Sequence, residues 1–331
     1  MERIDSLKNW VAAYFPGEAF TLLPASEDAS FRCYFRVNFA GHTLIAMDAP
    51  PRREDCRSFI KVAELFLAAG VHVPRVLQSD LERGFLLLED LGHITYLQAL
   101  NQDNAQALYF DAIEALLMIQ RASHPGVLPE YDQALLMSEM RLFPDWYVAR
   151  HLSVGLKPDQ SRALEKIFER VLAGNLAQPR VYVHRDYHSR NLMLSEPNPG
   201  ILDFQDAVYG PITYDLVSLF KDAYIRWDEE RIIDWAARYW ERAKKAQLPV
   251  AGDFANFYRD FEWMGVQRHL KVLGIFARLY YRDGKQGYLK EMPRVMQYLR
   301  YACERYSELA PLLKLLDEIE GRPQAKAGYT F

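Results

Sequence analysis

The chain has 331 residues, half of them apolar and a quarter charged, with a net charge of −4. That length accommodates two lobes or two modest domains of ordinary globular composition, and the charge balance excludes the basic footprint of a nucleic-acid binder. The three cysteines, Cys33, Cys56 and Cys303, are far apart, which excludes a disulfide framework or metal-ligand spacing and points to a reducing compartment.

The start, Met1-Glu2-Arg3-Ile4-Asp5, lacks the apolar core of a signal peptide. No apolar run is long enough to cross a bilayer. A cytoplasmic monomer without a membrane partner is expected.

Ile4, Leu7, Val11 and Tyr14 recur at helical spacing until Pro16-Gly17 stops them. The chain then alternates. Phe31, Cys33, Phe35 and Val37 share one face of a strand, and Arg32, Tyr34 and Arg36 the other. Glu27, Asp28, Ala29 and Ser30 form a polar tip before that strand, and Gly41 turns the chain into a second strand over 42–47. Residues 54–69 predict a helix with Phe59, Val62, Ala63 and Phe66 on its apolar face, and short strands follow over 76–78 and 85–88. Residues 1–91 therefore read as a small sheet with an internal helix.

From Gly92 onward the helical period dominates. Helices are expected over 103–122, 132–151, 157–173, 212–225, 229–246, 254–281 and 288–316. A β-rich island over 181–204 interrupts them, and the chain is expected to fray from Gly321.

That island reads Val181-Tyr182-Val183-His184-Arg185-Asp186-Tyr187-His188-Ser189-Arg190-Asn191, and Leu202-Asp203-Phe204-Gln205-Asp206 follows. The residue types suit phosphoryl transfer, where positioning and charge neutralisation do most of the work. Asp186 is the candidate base for the attacking hydroxyl. Asn191 and Asp203 are candidate oxygen ligands for magnesium (Mg2+), a hard ion that takes few protein ligands beside phosphate oxygens. The spacing H-x-D-x-x-x-x-N followed by D-F-x is that of a kinase catalytic loop and metal loop. The bland alternative is that these are polar turn residues.

On these motifs the chain resembles the aminoglycoside phosphotransferase and choline kinase superfamily. The resemblance covers nearly the whole chain. It implies an α+β, bilobal, protein-kinase-like fold with ATP and magnesium as cofactors. The N-terminal nucleotide-binding lobe would span 1–91, and the helical C-terminal lobe 92–331 would hold the catalytic loop, metal loop and substrate site. Within the superfamily the chain is similar to the anomeric sugar kinases that phosphorylate N-acetylmuramate and N-acetylglucosamine in cell-wall (peptidoglycan) recycling. The segments Ala29-Ser30-Phe31-Arg32, Met47-Asp48-Ala49-Pro50-Pro51 and Gln267-Arg268-His269-Leu270-Lys271-Val272-Leu273-Gly274 carry that likeness, beside the two loops. A small amino-sugar substrate is the partner it implies. A kinase of choline, homoserine or an aminoglycoside, a nucleotide-binding pseudokinase and a glycosidase are the alternatives.

Carried over residue by residue, Leu87-Leu88-Glu89-Asp90-Leu91-Gly92 resembles the hinge, where the Glu89 carbonyl and the Leu91 amide would bond the adenine edge. Ser30 at the hairpin tip would lie by the nucleotide. Asp215 resembles the aspartate that braces the catalytic loop. Two departures stand out. Met47 occupies the place of the kinase lysine, and the tip lacks a glycine-rich motif. Arg32 or Arg36 is the candidate for the missing charge, since Arg binds phosphate in bidentate fashion; solvated strand charges are the alternative. Toward the acceptor, Trp146 offers an aromatic platform, His188 and Gln205 lie in the two loops, and Arg268 offers a cation. Each has an ordinary structural reading as well.

Overall fold

Residues 3–25 and 31–321 are described by the computed structural model. In chain order they form helix α1 (Arg3–Tyr14), strands β1 (Thr21–Pro24), β2 (Cys33–Asn38) and β3 (Thr43–Asp48), and helix α2 (Cys56–Ala68). Strands β4 (Val76–Asp80) and β5 (Phe85–Glu89) follow, then helices α3 (Tyr96–Ala99), α4 (Ala105–Arg121) and α5 (Gln133–Leu142). Beyond α5 the coil widens into a π-helix over Phe143–His151. Next come α6 (Pro158–Ala177), β6 (Arg180–Val183), β7 (Leu192–Met193), β8 (Gly200–Ile201) and β9 (Val208–Pro211). Helices α7 (Tyr214–Phe220), α8 (Glu229–Lys245), α9 (Phe254–Tyr281), α10 (Met292–Arg305) and α11 (Ala310–Glu320) complete the fold. It is the α+β arrangement expected, with an antiparallel sheet early and helices later.

The chain divides into two compact units, Met1–Ser123 with His184–Ala207, and His124–Val183 with Val208–Phe331. The first unit is built on an antiparallel sheet of order β1-β2-β3-β5-β4. Its alternation is the expected one. Val37, Ala46, Phe85 and Leu87 face Leu7, Trp10 and Val11 of α1 in one apolar cluster. Burying each large side chain there stabilises the unit by about 1.5–3 kcal/mol. The opposite face carries Tyr34 and Arg36 of β2, Ile45 and Met47 of β3 and Leu86 and Leu88 of β5, by register. β1 is a strand that the alternation did not reveal, since four residues are too few to show a period.

In the second unit α9 is the central element. Every residue from Phe261 to Gly274 is buried, against α5, the π-helix, α6, α7 and α10. Gly274 permits this. A Cβ there would stand 2.3 Å from the Leu142 carbonyl carbon and 2.5 Å from its oxygen. An exposed helical Gly→Ala change gains about 1 kcal/mol, but backbone overlap of this kind outweighs it. Gly274→Ala is expected to destabilise the protein by about 1–3 kcal/mol, read as a lowered melting temperature; a raised one would contradict the packing.

The single helix expected over 288–316 is two. Tyr306 is extended, and α11 begins with Pro311 in its first turn. A proline lacks the N–H that a continuing helix needs and suits a fresh start.

Candidate active site

Residues 184–207 of the first unit hold the two polar loops. His184 is fully buried. Its Nε2 bonds the Leu202 carbonyl at 2.9 Å, and its Nδ1 accepts from the Asp186 amide at 3.3 Å. Those partners require the proton on Nε2. One imidazole thus ties the 184–191 loop to the residue before Asp203. Two backbone turns, His188 N to Asp186 O at 3.0 Å and Asn191 N to His188 O at 2.9 Å, fold the loop back. Leu202 N then bonds Asn191 O at 2.9 Å. Tyr187, fully buried, anchors the loop by donating to Ala112 O of α4 at 2.8 Å.

This brings Asp186, Asn191 and Asp203 together. The Asn191 side-chain amide donates to the Asp186 carbonyl at 2.9 Å and to Asp203 Oδ2 at 3.3 Å. Gln205 Nε2 donates to Asp203 Oδ1 at 2.8 Å and to Asp206 Oδ2 at 3.3 Å. Behind the carboxylates, Phe204 packs between Phe59 and Phe66 of α2, with ring centroids 4.8 and 6.0 Å away. Asp203 and Arg185 both sit at positive φ, 63° and 78°, a conformation that costs a non-glycine residue energy and clusters at functional sites.

The donor set fits a hard divalent ion. Asn191 spends its nitrogen on its neighbours, which leaves Oδ1 as its ligating atom, and the Asp203 and Asp206 carboxylates are exposed. Among the described residues no group of three His, Cys, Asp or Glu could hold a metal. An oxygen-poor site of this kind leaves most of the coordination sphere to water or phosphate, as magnesium prefers.

The nucleotide-side candidates lie in the same unit. Met47 is fully buried and pairs with Tyr34 and Leu86, so no cation stands at its position. Arg32 Nη2 bonds Glu54 Oε2 at 2.7 Å, just ahead of α2. Arg36 forks onto Asp90, with Nε to Oδ2 at 2.6 Å and Nη2 to Oδ1 at 3.1 Å, and Nη2 also reaches the Gly92 carbonyl at 2.6 Å. Burial pushes the Asp90 carboxyl up, but bonds from Arg36, Thr43 and the Gly92 amide outweigh it and hold it below the usual carboxylate range. Glu89 ends β5, half-buried, and Leu91 is buried. Ser30 lies outside the described residues.

The acceptor-side candidates are divided. His188 is half-buried and Gln205 buried, both in the loops of the first unit. Trp146, half-buried in the π-helix, and Arg268, buried in α9, belong to the second. Asp215 also belongs there, fully buried in α7. Arg268 Nη1 bonds the Tyr214 hydroxyl at 3.2 Å. It joins a buried network in which Lys271 Nζ bonds Tyr214 at 3.0 Å and Glu139 Oε1 at 2.9 Å. Glu139 also accepts from Gln267 at 3.2 Å and from the Tyr131 hydroxyl.

A family model described as the phosphotransferase enzyme family (APH) matches residues 21–250. The chain belongs to the phosphotransferase enzyme family. It is 50% identical to an N-acetylmuramate/N-acetylglucosamine kinase of Neisseria meningitidis serogroup B, over 100% of both chains. A protein of the same name from Pseudomonas aeruginosa is 54% identical, over 89% of this chain and 87% of that one. Among solved structures, choline kinase from Streptococcus pneumoniae superposes with a TM-score of 0.64 at 12% identity, covering 90% of this chain and 99% of that one. An ADP-bound aminoglycoside phosphotransferase does so with a TM-score of 0.57 at 13% identity, covering 88% and 97%. Identities this low carry the fold alone, and the fold is the protein-kinase-like one the motifs implied.

Some residues of this candidate site were not singled out by sequence. His184 stood inside the quoted motif without a role, although the H-x-D spacing is the signal for it. Glu54 and Asp90 became visible only as partners of Arg32 and Arg36, 22 and 54 residues away. Nothing local marks such pairs.

Proposed function

We propose that this phosphotransferase is an ATP- and magnesium-dependent sugar kinase that phosphorylates the anomeric hydroxyl of N-acetylmuramate and N-acetylglucosamine in peptidoglycan recycling. The observation that carries the reaction is the Asn191 amide bonded to both the Asp186 carbonyl and the Asp203 carboxylate, which gathers a base and two oxygen ligands. The acceptor follows from the relatives of that name, half-identical over nearly the whole chain.

In this reading Asp186 takes the proton of the attacking hydroxyl. The anomeric hydroxyl is the most acidic of a sugar, because the ring oxygen withdraws electron density from the same carbon. An ordinary carboxylate therefore suffices as acceptor. Asn191 and Asp203 would hold magnesium, which supplies charge neutralisation on the phosphates. Glu89 and Leu91 would bond the adenine edge and Ser30 would lie over the nucleotide. Arg32, paired with Glu54 beside α2, would take the part of the lysine–glutamate pair of other kinases. Trp146, His188, Gln205 and Arg268 are assigned to the sugar. The lobes 1–91 and 92–331, a monomeric state and a cytoplasmic location belong to the same proposal. No helix among the described residues is long and apolar enough to cross a membrane.

Asn191→Ala withdraws one neutral ligand. It is expected to raise the magnesium needed for half-maximal rate by about tenfold; a titration that superimposes on the parent curve would remove Asn191 from the site. The acceptor is tested by running ADP release beside a reducing-sugar assay. Reducing ends should disappear one for one with ADP formed. ADP release with choline or kanamycin but neither amino sugar would overturn the reading.

A further inference from the structure

Arg36 stands on the face of β2 opposite the α1 cluster, and its guanidinium is committed to the segment that follows β5. Nε and Nη2 grip both oxygens of Asp90, whose side chain is only 4% exposed, and Nη2 holds the Gly92 carbonyl as well. Asp90 Oδ1 in turn accepts from the Gly92 amide at 3.0 Å. Gly92 sits at a φ of 97°, left-handed backbone that leaves the turn after Leu91 to be held by its bonds. A guanidinium so engaged is neutralised by its carboxylate. It cannot swing toward phosphates without leaving Asp90 a buried, unpaired charge.

We propose that Arg36 is a positioning residue for the nucleotide base. Its fork on Asp90 and Gly92 fixes the backbone of Glu89 and Leu91, the two groups that meet the adenine edge. The inference rests on the adenine-binding reading of those residues given above, and it separates Arg36 from Arg32, which keeps the phosphate role. A lysine would not substitute, because one ammonium does not reproduce the planar fork that two carboxylate oxygens and a carbonyl require.

The test is calorimetric titration of the full chain, parent and variants, with adenosine and separately with ATP, well below the melting temperature. Arg36→Ala, Arg36→Lys and Asp90→Ala should each weaken adenosine and ATP by the same factor, about tenfold, the scale of one lost charge-assisted hydrogen bond. Affinity for N-acetylglucosamine should stay that of the parent. If ATP weakens while adenosine does not, Arg36 acts at the phosphates and the proposal falls. It falls equally if neither changes, if Asp90→Ala tightens ATP alone, or if the sugar weakens in step with the nucleotides. Should Arg36→Ala fail to fold, Arg36→Lys and Asp90→Asn decide by the same ratios. A parent that binds neither adenosine nor ATP would instead overturn the ATP reading itself, and this inference with it.

Discussion

Asp186→Asn is expected to lower turnover by about 10²–10⁴, the scale of general-base assistance, while ATP affinity stays that of the parent. The substitution is nearly isosteric. The two contacts that the Asp186 backbone makes with the site, its carbonyl to Asn191 and its amide to His184, do not depend on the carboxylate. The loop turns through Asp186 O and Asn191 N are likewise backbone bonds. What changes is the acceptor for the hydroxyl proton, so the loss should appear in turnover. Steady-state rates with a thermal-melt control read it. A variant within threefold of the parent rate would remove Asp186 from the role of base.

Glu139→Ala is expected to destabilise the protein by about 3–5 kcal/mol, the scale of removing one partner from a buried ion pair. Glu139 and Lys271 are both nearly inaccessible, 6% and 4% exposed. Lys271 would retain the Tyr214 hydroxyl at 3.0 Å and the face of its ring, 5.5 Å away, neutral groups that do not replace a carboxylate. Gln267 and Tyr131 would lose an acceptor as well. Urea unfolding should shift its midpoint downward with an unchanged slope. The double variant Glu139→Leu with Lys271→Met removes both charges and should lie within about 1 kcal/mol of the parent, since apolar replacement of a buried pair is often neutral. A single variant as stable as the parent would show the network to be solvated.

The candidate loop over 184–191 was legible because its information is local. The spacing from His184 to Asn191 and the later Asp203 are features of one short stretch, and the structure joins them by bonds among those same residues. The position of β3 was legible for a similar reason, since Gly41 marks the turn into it. The resemblance put Met47 in the place of the kinase lysine, and in the structure Met47 pairs with Tyr34 on the face shared with Arg36. What stayed hidden depends on partners far along the chain. Alternation puts Arg32 and Arg36 on one strand face, but in the structure Arg32 precedes β2 and ends on Glu54, while Arg36 ends on Asp90, and no period in the sequence distinguishes them. Arg268 read as a cation toward the acceptor, and Lys271 lies one turn further along the same helix. In α9 they are buried, on Tyr214 and Glu139, because surrounding helices enclose the whole middle of that helix. The break at Tyr306 had a readable cause in Pro311, but the apolar period running through both helices concealed it.

The central claim is transfer of phosphate from ATP to the anomeric hydroxyl of an N-acetylated amino sugar. Phosphorus-31 and proton NMR of the product, formed from N-acetylmuramate or N-acetylglucosamine with ATP and magnesium, tests it most directly. A phosphomonoester resonance coupled to the anomeric proton is expected, with the reducing-end signals lost as ADP accumulates. Phosphorus coupled instead to the protons at C6, with both anomers still present, would contradict it.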